Sequence, residues 1–306
     1  MSTTSTGSSS RRKRRPGPPL ARAIEAELRE LGIRPSKRFG QSFLADPFVA
    51  DAEAALVPPG TGEVVEIGGG LATLTEALIR RGIAPCTVIE RDPQLAGSLR
   101  RKFGDRVRVV QGDALTVDLG RPRCVVGNLP FSVGTPILQR LFELRVPSVV
   151  AMVQKEVADR LAAGPGSKVY GRLSILAGLY GEVELFQVVP SEAFVPAPEV
   201  DARIFRFTRR EDAIPVPSVP DFEIMIQKLF SSRRKQLKNL ISAVLPPGVP
   251  PDEVLSKIAW PSDWAQRRPE ELPPGAYFAL ARELDRRRKG PERGGSSEST
   301  PTTDGI

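Results

Sequence analysis

The chain has 306 residues, 40% hydrophobic, 26% charged and 6% aromatic, with 44 Lys and Arg against 36 Asp and Glu for a formal charge of +8. That length suits one large domain or two modest ones, and the basic excess suits a polyanionic partner, usually nucleic acid. Histidine is absent, which excludes a Ser-His-Asp triad, an imidazole base and any His-ligated metal. No stretch of 18 or more apolar residues occurs, so no transmembrane helix is expected. Residues 1–19 are Ser/Thr/Gly-rich, then basic (Arg11 to Arg15), then Pro-rich. Without an apolar core they read as a disordered tail, either solvated or a non-specific RNA-binding arm, and not as a secretory signal. Cys86 and Cys124 sit in apolar runs and read as small core residues of a reduced, cytoplasmic protein.

Leu20 to Leu31 has helical spacing, stopped by Gly32. From Val64 strands and helices alternate. Strands are expected at 64–67, 87–90, 107–111, 123–127 and 148–154, with helices at 71–81, 95–103 and 136–144. This rhythm predicts an α/β fold with a mainly parallel sheet covered on both faces. Residues 183–189 and 202–207 alternate without an obvious helix between them and read as an antiparallel addition at the sheet's end. The prolines of 214–220 make a stiff linker. Beyond it, 222–245, 251–258 and 276–287 read as helices of a small all-helical domain. The expected organisation is a tail (1–19), an α/β domain (20–213), the linker (214–220), a helical domain (221–288) and a second tail (289–306).

The chemistry gathers at the expected strand ends. Glu66-Ile67-Gly68-Gly69-Gly70 joins the first strand to its helix, where glycines admit a ligand to the backbone and a helix N-terminus offers N–H groups. Thr73 breaks the dinucleotide fingerprint. Glu66, at a buried strand end, requires a cationic or N–H partner. Glu90 ends the next strand, placed to accept both hydroxyls of a ribose. Asp113, in Gly112-Asp113-Ala114, can accept from an adenine amino group. Asn128-Leu129-Pro130-Phe131 follows the fourth strand. An exocyclic adenine amine is a poor nucleophile because its lone pair is delocalised. The Asn128 oxygen and the Leu129 carbonyl can each accept one N–H and turn that lone pair towards a methyl donor. Pro130 stiffens the loop, and Phe131 offers a face to a base.

With these stretches, Lys37 to Leu44, Gln154 to Val157, Tyr170 to Ser174 and Phe194 to Asp201 complete a resemblance, running from residue 37 to about 208, to the ribosomal RNA adenine N6-dimethyltransferase family of the kasugamycin-resistance type. The resemblance implies a Rossmann-like class I methyltransferase sheet and S-adenosyl-L-methionine as cofactor. It puts Gln41, Ser42 and Leu44 at the methionine end, and Gly68 and Gly70 against the cofactor backbone. Glu90 would hold the ribose and Asp113 the adenine. Asn128 and Leu129 would present the target amine, with the base between Phe131 and Phe194. The implied product is N6,N6-dimethyladenosine at two adjacent adenosines in the 3′-terminal hairpin of small-subunit rRNA. The enzyme would act as a monomer on a pre-ribosomal particle, with no metal and no membrane. Arg233, Arg234, Lys235 and Lys238, expected on one helix, would contact RNA phosphates. Three positions depart from the family pattern: Ser42 for Asn, Gly69 for Pro (a more flexible turn) and Phe131 for Tyr. Two other readings share most of these residues: a large-subunit rRNA adenine methylase of the macrolide-resistance type, and a non-catalytic nucleic-acid-binding factor on the same fold. Intact Asn128, Gly68 and Gly70 weigh against the latter.

Overall fold

The computed structural model describes residues 18–35, 41–83, 86–211 and 216–289. The basic tract at 11–15, Lys37 to Gly40, most of the linker's start and the C-terminal tail lie outside these residues. The chain divides into two compact units, 1–214 and 215–306.

The first unit runs α1 (Pro18–Glu30), β1 (Phe43–Leu44), α2 (Pro47–Ala54), β2 (Val64–Ile67), α3 (Thr73–Arg80), β3 (Cys86–Glu90), α4 (Pro93–Phe103), β4 (Arg108–Gln111), β5 (Cys124–Asn128), α5 (Gly134–Glu143) and β6 (Ser148–Gln154). It continues with α6 (Lys155–Leu161), α7 (Arg172–Tyr180), β7 (Gly181–Val189), β8 (Phe194–Val195) and β9 (Ala202–Arg209). Seven strands form one sheet in the order β4-β3-β2-β5-β6-β9-β7. The first five are parallel, and β9 runs antiparallel to both β6 and β7. The apolar runs of β2, β5 and β6 are buried along almost their whole length, as strands covered on both faces must be. From β2 the chain first winds outward through β3 and β4, then returns to β5 on β2's other side. That reversal opens a crevice at the strands' carboxyl ends, where open α/β sheets bind ligands.

The expected strands and the antiparallel addition are all present. Five elements of the first unit went unread: β1, α2, α6, α7 and β8. The pair β1 and α2 is short, and α6 spans seven residues. Helix α7 is buried nearly all round, so its sequence carries no polar face to betray its period. β1 pairs antiparallel with β8, Phe43 opposite Val195 and Leu44 opposite Phe194.

In the second unit α8 (Val219–Phe230), α9 (Pro251–Lys257) and α10 (Pro274–Lys289) are joined by short 3-10 turns. The helix expected over 222–245 ends instead at Phe230. Ser231 and Ser232 disfavour continuation, and Ser231 caps the helix, its amide donating to the Gln227 carbonyl. Beyond them Leu237 and Ile241 are buried from separate 3-10 turns, a spacing that imitates one helix. Arg233, Arg234 and Lys235 therefore sit on a turn, and Lys238 on a 3-10 turn, all exposed.

Gly127 fixes how closely β5 approaches β2. A Cβ there would lie 2.4 Å from the Ile67 carbonyl oxygen. That obstacle is backbone and cannot rotate away. Gly127→Ala is expected to cost about 3 kcal/mol or more, beyond ordinary overpacking. Gly164→Ala, with nothing within 4 Å, should stay within about 0.5 kcal/mol of wild type. Urea unfolding of the two variants checks the contrast.

Candidate active site at the carboxyl edge of the sheet

A cavity of about 460 Å³ occupies the crevice, a size typical of small-molecule sites. Its walls bring together Gln41, Ser42, Leu44, Glu66, Gly68, Gly70, Glu90, Asp113 and Asn128 to Phe131. Thr73 donates its hydroxyl to the Leu44 carbonyl at 3.0 Å, fixing the N-terminal wall to the start of α3.

The turn after β2 is bare backbone. Gly68 and Gly70 have φ of +81° and +52°, and a Cβ on Gly70 would lie 3.3 Å from the Phe43 ring. Gly69 is closely enclosed. Its Cβ position is filled by Val88 and Leu99, whose methyl carbons lie 2.4 and 2.8 Å away. Glu90 accepts the Gly70 amide at 2.9 Å on one oxygen and the Asp92 amide at 2.8 Å on the other. It is therefore a structural tie as well as an acceptor. Each oxygen keeps a lone pair for a further donor. Asp92 caps α4, accepting the Gln94 and Leu95 amides, with Pro93 in the first turn. Asp113 accepts the Leu115 amide at 2.9 Å and faces the Arg91 guanidinium at 3.7 Å.

The cationic or N–H partner expected for Glu66 is replaced by a hydroxyl, which Thr75 donates at 2.7 Å. Burial pushes the Glu66 carboxyl up from 4.5 to about 8, against the pull of that hydroxyl. Behind it lies Glu53, fully buried, with neither oxygen in a hydrogen bond among the described residues. Burial, then repulsion from Glu66, push it to about 8, opposed by the nearby Gly127 amide. Burial raises Glu90 as well, opposed by the amides it accepts. Sequence reasoning missed Glu53. The signal was an acid amid Val49, Ala50, Ala54 and Val57, on the buried stripe of an amphipathic helix.

Asn128 ends β5 opposite Met152, whose carbonyl accepts the Leu129 amide at 3.0 Å. The loop then closes as Val133 donates to Pro130 and α5 begins. Phe131 is half-buried in the cavity wall. Phe194 is 2% exposed and meets it edge to face, with centroids 6.3 Å apart and planes at 65°. A base between two parallel rings needs about 7 Å, two contact distances. The expected sandwich is therefore not preformed, and Phe194 supports Phe131 from behind.

The profile of the family described as Ribosomal RNA adenine dimethylase matches residues 33–259. The chain belongs to this family. A Ribosomal RNA small subunit methyltransferase A from Vibrio cholerae is 37% identical over 83% of the chain and 95% of its own length. A probable one from Natronomonas pharaonis is 38% identical over 84% and 96%. Among solved structures, a dimethyladenosine transferase from Plasmodium falciparum shares the fold with a TM-score of 0.67, at 22% identity over 79% of this chain and 97% of that one. The 23S rRNA methyltransferase ErmE gives 0.56 at 25% identity over 80% and 100%. The class I methyltransferase fold that the resemblance implies is thus found, on the mainly parallel α/β sheet that the strand rhythm predicts. Among the described residues no group of three or more Cys, Asp or Glu is arranged to hold a metal.

Within this dimethylase the buried carboxyls cost stability at neutral pH. Both titrate higher folded than unfolded, so the folded chain holds extra protons between about pH 4.5 and 8. Stability therefore falls as pH rises through that window. Glu53→Leu should raise stability near pH 8 by about 1–3 kcal/mol, the cost of an unsatisfied buried polar group, and flatten the fall. Thermal melts from pH 5 to 8 test this.

Proposed function

We propose that the protein dimethylates the N6 amines of two adjacent adenosines in the 3′-terminal hairpin of small-subunit rRNA, using S-adenosyl-L-methionine. It would act as a monomer on a pre-ribosomal particle in the cytoplasm. The observation that carries this reading is the single cavity joining three acidic strand ends to the Asn128–Phe131 loop. The target is supported by relatives that align over nearly their full length and are named for the small subunit, which favours it over the large-subunit alternative.

Bound in the cavity, S-adenosylmethionine supplies an electrophilic methyl group on a sulfonium. The remaining work belongs to side chains and backbone. Glu90, with a spare lone pair on each oxygen, accepts the ribose hydroxyls. Asp113 accepts the adenine amino group, and the bare turn at Gly68 and Gly70 lets the ligand approach. Gln41, Ser42 and Leu44 border the methionine end. The Asn128 oxygen and Leu129 carbonyl each take one N–H of the target amine, leaving its lone pair directed at the methyl. This needs no general base, in keeping with a chain without histidine. Phe131 receives the extruded base, with Phe194 holding its ring. Arg233, Arg234, Lys235 and Lys238 contact phosphates.

Transfer of labelled methyl groups to small-subunit particles, with the modified nucleotides mapped by mass spectrometry, tests the proposal. Labelling elsewhere, or none, would overturn it. Asn128→Ala should lower turnover roughly 10²–10³-fold, as for one oriented transition-state hydrogen bond, with cofactor affinity nearly unchanged. Phe131→Ala should lose roughly 1–3 kcal/mol of stacking, while Phe131→Tyr stays active. Arg233 also pairs with Glu270 at 3.4 Å. Neutralising the four cations should therefore reduce the log–log salt slope of RNA binding by up to about 3 units. An unchanged slope removes this patch from the RNA path.

A further inference from the structure

Glu53 is a buried acid for which the proposed chemistry has no use. It lies in the apolar layer that Ala50, Ala54 and Val57 make with Leu74, Ala77 and Leu78 of α3. Between those α3 residues, Thr75 gives its hydroxyl to Glu66. Two carboxyls therefore share one dry region. Glu66 lines the cavity and has a hydrogen-bond donor. Glu53 lines no part of it and completes no hydrogen bond among the described residues.

Adjacent carboxylates in a dry region do not both ionise. A cation entering the cavity favours the charge on whichever carboxyl faces it. Only Glu66 does so, and its proton has a route to water through the cavity. Glu53 has neither a facing ligand nor an exit.

We infer that Glu53 and Glu66 work as a pair in which Glu53 keeps its proton and Glu66 releases its own when the cationic methionine end of the cofactor binds. Glu53 thus stays neutral, and the single negative charge lies on the cavity side. The inference rests on the reading of the cavity as an S-adenosylmethionine site. The step balances simply. The O–H bond of Glu66 breaks, its electron pair stays on the carboxylate facing the cation, and the proton passes to solvent.

The groups around Glu66 are few. Glu53 faces it from α2, Thr75 from α3 and Glu90 from β3. Its neighbour across β5 is the apolar Val126. Cys124, beside Val64, has its thiol pushed up to about 11 and stays neutral. Further along the cavity, Arg91 is the one cation among the described lining residues, and it faces Asp113. Glu90 is the other cavity acid that burial raises, opposed by the amides it accepts. It would respond to the ribose and not to the methionine cation.

Calorimetry of the full chain in two buffers of equal pH and different ionisation enthalpy reads the proton directly. At pH 7, S-adenosylmethionine should release about one proton per molecule bound, and affinity should rise by up to about tenfold per pH unit from pH 6 to 8. Methylthioadenosine, which lacks the methionine cation, should bind without release. Glu53→Gln should still release the proton, and Glu66→Gln should not. Buffer-independent binding of S-adenosylmethionine, equal release with methylthioadenosine, or loss of release in Glu53→Gln overturns the inference. If Glu66→Gln does not fold, the methylthioadenosine comparison on the wild-type chain still decides. Absence of any S-adenosylmethionine binding would instead overturn the proposed function, which calorimetry distinguishes from binding without proton release.

Discussion

The Glu90 carboxylate holds the working edge of the sheet together. One oxygen takes the Gly70 amide from the turn after β2, and the other takes the Asp92 amide at the start of α4. Two loops from neighbouring strands are thus tied through one side chain. The glycines of the first loop need such a tie, because at positive φ they bring no side chains of their own to pin the turn. Both bonds run from amide to carboxylate, the stronger charge-assisted kind. The same group that organises the site also faces its ligand.

The site's electrostatics follow from where the sheet reverses direction. Acids arrive at adjacent strand ends because β2, β3 and β4 are sequential neighbours, while the Asn128 loop arrives from the other side through β5. The result is acidic at one end and carries amide and carbonyl acceptors at the other. An acidic wall suits a ligand rich in hydroxyls, amino groups and positive charge. The acceptor loop suits an amine that must be oriented and need not be deprotonated first.

Much of this was legible because parallel strands buried on both faces are written as unbroken apolar runs. Val64-Val65, Cys124 to Val126 and Ser148 to Val153 announce themselves, and the residues after each run mark one edge. What stayed hidden was either short or non-local. The β1–β8 pair has two residues on each side and no pattern of its own. Glu53 was overlooked because α2 covers barely two turns, so the stripe that marks it is short. The resemblance puts Phe194 on the second face of the target base, yet it is buried. Its burial depends on Leu44 and Phe131, which no local window contains. The false helix over 222–245 has the opposite cause. Buried Leu237 and Ile241 keep a helical interval although the helix has already ended at Phe230.

The β1–β8 pairing has a consequence for the order in which the protein assembles. It joins segments separated by roughly 150 residues of chain, a contact whose loop-closure entropy is paid late in folding. The wall built by Gln41 to Leu44 therefore has no partner strand until β8 has been synthesised. At that point most of the sheet already exists. A nascent chain carrying β2 to β5 would own every acidic strand end and still lack one side of its cavity. Competence to hold the small ligand arrives with nearly the whole first unit, and partly made chains have little means of sequestering it.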